Sequence, residues 1–146
     1  MQKKSEEALA EIYRNCQLAL TSIADMLPAV EDESVKNELK KEYDEYERIS
    51  GRAVVLAADR GLDLKSPSPM KKAMMWSSIK MNTLTDNSRA HLAEMMVQGT
   101  VMGITALKST LSDLGEEADE EILDLMKELL DREEQFEKSW KALIES

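Results

Sequence analysis

The apolar residues Leu9, Tyr13, Cys16, Leu20, Ile23 and Leu27 recur in alternating steps of four and three. That spacing lines one side of a helix and does not suit a strand, whose faces alternate at every second residue. The rhythm returns in three further stretches. Val35, Leu39, Glu42, Tyr46, Ile49, Ala53, Leu56 and Arg60 form a second seam. Leu92, Met95, Gly99, Met102, Ala106 and Leu111 form a third; Ile122, Met126, Leu129, Glu133, Phe136, Trp140 and Leu143 form a fourth. Helices apolar along one stripe bury those stripes against one another. The expected fold is all-α, an up-down-up-down four-helix bundle in which residues 1–146 make one domain.

Local signals set the helix ends, which are expected at about 5–27, 32–60, 86–114 and 118–144, with a short extra helix at about 69–81. Ser5 is a plausible N-cap, with Glu6 and Glu7 in the first turn. Pro28 closes the first helix, Asp32 or Ser34 starts the second, and Gly61 suits its C-terminal cap. Ser66-Pro67-Ser68-Pro69 then opens the connector helix, because proline at the first helical position loses no needed hydrogen bond. Its residues Met70, Met74, Met75, Trp76, Ile79 and Met81 are apolar on more than one side, so it should pack onto the bundle. Thr85, Asp86 and Ser88 offer the next caps, Gly115 a stop, and acidic residues precede the last helix.

Composition narrows the function classes. With 5 Gly, 3 Pro, 42% hydrophobic and 33% charged residues, the chain is neither disordered nor membrane-spanning. The single Cys16 excludes an intramolecular disulfide and fits a reducing interior. The segment Met1 to Glu7 lacks the apolar core of a signal peptide, so a cytoplasmic location is expected. A net charge of −10 argues against nucleic acid as a partner, since phosphate contacts need a basic face. Charge is uneven, however. Arg60 to Arg89 holds six basic and two acidic residues, +4, which leaves −14 for the remainder. This reads as a basic connector lying on an acidic bundle.

Two glutamates, Glu42 and Glu133, fall on seam positions where leucine is expected. Counting from the short turns puts both near mid-height, in a layer with Glu45, Glu94 and Gln98. One reading is a metal centre built from Glu42, Glu45, His91, Glu94 and Glu133 and suited to Fe or Mn, since buried carboxylates need a partner. His91-x-x-Glu94 has a spacing that permits joint ligation, although the pattern is common by chance. The simpler reading turns both glutamates outward toward Arg14, Arg48, Arg52 or Arg132, and the sequence favours it. Cys16 on an apolar seam reads as an inert buried thiol. Gly99-x-x-x-Gly103 asks for a compensating gain, because each glycine within a helix costs about 1 kcal/mol relative to alanine. Close packing of Trp76, Trp140 or a methionine would supply it, as would room for a ligand beside Gln98.

The segment Met81-Asn82-Thr83-Leu84-Thr85-Asp86, running on through His91-Leu92-Ala93-Glu94-Met95-Met96-Val97-Gln98-Gly99-Thr100-Val101-Met102-Gly103-Ile104, resembles ferritin-like four-helix bundles. Glu11-Ile12-Tyr13-Arg14-Asn15 and the Leu27-Pro28 turn are similar too. Within that class the likeness is to small bacterial proteins with no assigned activity. Its di-iron members imply Glu-x-x-His on two helices. Here those steps read Glu42-x-x-Glu45 and Glu133-x-x-Phe136, so the resemblance implies the shape and not iron oxidation. The expected function is therefore non-enzymatic association with a protein partner or as a homo-oligomer. The candidate surface is Met70, Lys71, Lys72, Met74, Met75 and Trp76. The alternative is an atypical metal protein. A weaker one is peripheral membrane attachment through Met70 to Met81.

Overall fold

The computed structural model describes residues 3–115 and 118–146; Met1, Gln2, Glu116 and Glu117 lie outside the described residues, as does that part of the acidic stretch before the last helix. Five helices follow in order: α1 (Lys3–Met26), α2 (Glu33–Asp59), α3 (Pro69–Thr85), α4 (Arg89–Asp113) and α5 (Glu120–Glu145). A 3-10 turn, Leu27–Ala29, closes α1 around Pro28. No strand occurs among the described residues.

Most caps are those the sequence announces. Asp32, Ser68 and Ser88 each accept from the backbone N–H three residues on, at 3.0, 3.2 and 3.4 Å. Asp119 caps α5 through the N–H groups of Glu121 and Ile122. Gly61 has φ +66°, the left-handed conformation that lets α2 stop. Ser5 is the exception. Helix α1 already begins at Lys3, and Ser5 is buried, with its hydroxyl accepting the Asp119 N–H at 3.1 Å. It ties two helix starts together and caps neither.

The expected up-down-up-down course is corrected by the contacts at the two ends. At one end Ser5 meets Asp119, and Arg60 forms ion pairs with Asp119 (2.8 Å) and Glu121 (3.1 Å). The start of α1, the end of α2 and the start of α5 therefore lie together. At the other end Arg89 pairs with Asp32 at 2.9 Å and donates to Ser146, and Asn87 donates to the Ala29 carbonyl. The start of α4 thus lies beside the start of α2. The four long helices run up, down, down, up, with α1 parallel to α5 and α2 parallel to α4. Residues 60–88 carry the chain back along the bundle, which frees α4 to start where α2 started. The connector is too long to act as a turn.

Helix α3 is also longer than expected: it runs on to Thr85, with the hydroxyls of Thr83 and Thr85 donating back to the carbonyls of Ile79 (3.0 Å) and Met81 (2.9 Å). It packs on α1, with Ile79 and Thr83 buried and Met75 half-buried against Ser22. Trp140, Leu9, Ile12, Ile23, Leu39, Ile49, Leu92, Leu107, Ile122, Leu125 and Met126 fill one core shared by α1, α2, α4 and α5. None of the described helices is long and apolar enough to cross a membrane.

Candidate functional site

Helical periodicity carries Glu42 and Glu133 into that core, at 0% and 2% exposure. The outward lean toward arginine is therefore corrected. The arginines are engaged elsewhere: Arg14 with Glu11, Arg48 with Glu45 and Glu128, Arg52 with Glu128, and Arg132 with Gln135. Reaching them would also leave a hole in the seam.

Around Glu133 the elements converge. Tyr46 on α2 donates its phenol O–H to Glu133 Oε2 at 2.8 Å. Asn15 on α1 donates its side-chain amide to the Gly103 carbonyl of α4 at 3.2 Å. A Cβ on Gly103 would stand 2.9 and 3.1 Å from the Glu133 carboxylate oxygens and 3.2 Å from the Asn15 amide. The glycine is the space that the carboxylate occupies. Burial raises the Glu133 pKa to about 7, the Tyr46 and Asn15 side chains counteract it, and Glu11 adds to it. Asn15 gives its hydrogen bond to Gly103, so it acts on the carboxylate as a nearby dipole and leaves Oε1 without a partner.

One turn along α2, Glu42 is more isolated. Neither of its oxygens has a hydrogen-bond partner, and the same holds for Glu38 Oε2 and the Trp140 indole N–H. Burial, then Glu38, push the Glu42 pKa far above the usual carboxylate range, against a smaller opposing effect of Trp140. The Trp140 N–H is thus near enough to favour the anion but not aligned for a bond. Burial and the neighbouring Glu38 thus both favour the protonated form of Glu42. Tyr46, packed on Phe136 with ring centroids 5.5 Å apart, senses both glutamates, and burial followed by Glu133 raises its own pKa.

The other residues of the expected layer do not join. Glu45 is on the surface with Arg48, Glu94 and Gln98 are exposed, and His91 sits in the first turn of α4 with its backbone N–H on Ser88. No group of three or more His, Cys, Asp or Glu among the described residues is placed to hold a metal ion. Of the five expected ligands only Glu42 and Glu133 lie in the core, so the expected Fe or Mn ligand set is not gathered among the described residues. Comparison of the chain with protein-family models, curated proteins and solved structures finds no match.

Access decides what this polar core can do. Two surface grooves, about 350 and 340 Å³, are lined by residues such as Lys4, Glu11 and Asp113 and by Leu27, Lys40 and Tyr43. Glu42 and Glu133 line neither. The cluster holds α1, α2, α4 and α5 in one register. Cys16 belongs to the same interior: burial, then Glu133, push its thiol pKa up and keep it protonated. Cys16 should consequently react with a soluble disulfide reagent only as fast as the protein opens. Labelling at the rate of a free thiol in native buffer would contradict this burial.

Seam spacing alone does not bring Asn15, Glu38 and Trp140 into the polar layer, and it presents Tyr46 only as a seam residue. The sequence signal for the site is Gly103, whose open side asks for an occupant. Its companion Gly99 has nothing within 4 Å of where a side-chain methyl would stand and faces outward, so it forms no ligand space beside Gln98.

The candidate association surface divides in two. Met70 and Met74 are exposed at 75% and 68%, and Lys71 and Trp76 are exposed as well. Met75 turns inward to α1 and Lys72 is half-buried, so these two are corrected out of the surface. Met81 and Leu84, exposed at 71% and 78%, extend it.

Proposed function

We propose that this protein acts by non-covalent association, presenting the outer side of α3 to a protein partner or to another copy of itself, and catalyses no reaction. The observation that carries the reading is the exposure of Met70, Met74, Met81 and Leu84 on a helix whose opposite side is already packed. Methionine faces accommodate varied apolar partners. Contiguous exposed apolar patches mark contact surfaces. Lys80 lies over the Trp76 ring at 5.0 Å, so a cation and an aromatic ring stand together beside the patch.

The up-down-down-up course with one long crossover supports a ferritin-like architecture, because ferritin-like bundles have one such connection. The reduced, buried Cys16 supports a cytoplasmic setting. Net acidity supports partners other than nucleic acid.

The test compares a fluorescently tagged parent with Met74→Glu/Met81→Glu by sedimentation velocity, at high concentration and in extract of the source cells. The parent should sediment faster than a monomer in at least one of these, and the variant as a monomer in both, with equal thermal midpoints. A parent that stays monomeric throughout overturns the reading.

A further inference from the structure

The exposed apolar residues of α3 are ordered. Met70, Met74, Met81 and Leu84, with the small polar Ser77 between the two pairs, follow one another in steps of four, three, four and three. At 100° per residue they fall within an arc of about 80°, on the side opposite the buried Ile79 and Thr83. That is the spacing of a two-helix seam, which an α-helix of another chain covers by inserting its side chains between these. The seam is close to a palindrome about Ser77: Met70 and Leu84 stand seven residues to either side, and Met74 and Met81 stand three and four. A two-fold axis through Ser77 pairs Met70 with the partner's Leu84 and Met74 with the partner's Met81. The smallest side chain of the stripe then lies where the helices come closest.

From this geometry, together with the association reading on which it rests, we infer that α3 pairs antiparallel with α3 of a second copy of this chain. The register keeps the flanking like charges of the two copies apart. Helix α3 has three lysines and no acidic residue. In the antiparallel pair Lys71 and its own copy lie about 18 Å apart along the axis, and Lys80 and its copy about 9 Å, at 1.5 Å per residue. Lysine therefore faces Ser78, Thr85 or Ala73 of the other helix and not lysine. The opposed helix dipoles also favour the arrangement.

Size and charge set how tight the dimer is. A contact along one helix of 17 residues, about 25 Å, buries less than the roughly 1,200 Å² of a stable complex. The dimer is therefore a weak one. Outside α3 each copy carries −13, so the two bundles repel one another, and added salt screens that repulsion. Dimerisation should strengthen with salt. An acidic protein partner or an anionic membrane on the same lysines would be released by it.

The test uses purified full-length protein in sedimentation equilibrium up to about 1 mM, at about 0.05 and about 0.5 M NaCl. A monomer–dimer equilibrium that tightens with salt and weakens at least ten-fold in Met74→Glu/Met81→Glu is expected. Cross-linking tests the register. Under mild oxidation Ser77→Cys should give a covalent dimer, while Met70→Cys, about 21 Å from its own copy in the antiparallel pair, and Ser109→Cys on exposed α4 should not. Equal cross-linking of Ser77→Cys and Met70→Cys overturns the antiparallel register. A purified monomer at every concentration, with Ser77→Cys no faster than Ser109→Cys, overturns the homodimer. If the tagged parent still enters a complex in extract, the association reading stands with another occupant; if it does not, both fall.

Discussion

Replacing Glu133 by glutamine should leave the protein about as stable as the parent near pH 5 and more stable by about 2–3 kcal/mol near pH 9. The sign follows from proton counting. Burial lifts the Glu133 carboxyl from its ordinary 4.5 to about 7 in the folded chain. Between those values the folded chain holds a proton that the unfolded chain has released, so raising the pH favours unfolding. The contribution of this group is complete below the unfolded pKa and is lost as pH rises through the folded one, for a total of about 3 kcal/mol. Glutamine keeps an acceptor for the Tyr46 phenol and cannot ionise. Glu42 shifts in the same direction through burial and Glu38, so its loss continues to higher pH, and Glu42→Gln should stabilise the alkaline state as well. Urea unfolding followed by circular dichroism at several pH values checks this. A parent whose stability does not fall between pH 5 and 9 would show that these carboxyls are solvated.

Gly103→Ala and Gly99→Ala, chemically the same change on one helix, should move stability in opposite directions. At Gly99 a methyl meets nothing, and the helix gains about 0.5–1 kcal/mol from lower backbone entropy in the unfolded chain. At Gly103 it would stand 2.9 Å from a buried carboxylate oxygen. The carboxylate has to leave Tyr46 to make room, at a net loss of about 1–3 kcal/mol after the helix gain. The cause can be isolated. With Glu133→Ala in place, the penalty of Gly103→Ala should shrink or reverse, because the clashing group is gone. An unchanged penalty in that background would assign the effect to some neighbour other than Glu133.

How much of this is legible from residues alone differs by level. The third seam misses its side: Gly99 and Met102 are exposed, and α4 buries Leu92, Ala93, Thr100, Ile104 and Leu107. On α1, α2 and α5 the seams name the core directly: Leu9, Cys16, Ile23, Leu39, Ile49, Leu129 and Trp140 are all fully buried, because periodicity decides which side of those helices faces inward. It also places Glu42 and Glu133 there, against the expectation that long charged side chains escape. Their partners are not legible. Tyr46, Asn15 and Gly103 reach Glu133 from three other helices, and such meetings depend on helix direction and axial offset. Counting residues from the turns puts Gln98 opposite Glu133, more than one turn from Gly103. The surface identity of Gln98 and Glu94 is hidden for another reason: α4 has apolar residues on its outer side too, Val101 and Met102 among them, so its inward stripe is blurred. The course of the chain differs from the expected one because a connector of this length can finish at either end of the bundle.

That crossover also divides the molecule by how its contacts are made. Helices α1 and α2 are neighbours in the chain and so are α4 and α5, so each pair is a hairpin that can assemble from local contacts. Only α3 and the extended stretch before it join them. The connector then acts as a tether that keeps one hairpin at a high effective concentration around the other. What makes the two halves a single body is the set of contacts between them: Tyr46 on Glu133, Asn15 on Gly103, Ser5 and Arg60 on Asp119, and Asp32 on Arg89. The acid buried between the hairpins is therefore a latch, closed while it holds its proton and strained once it gives it up.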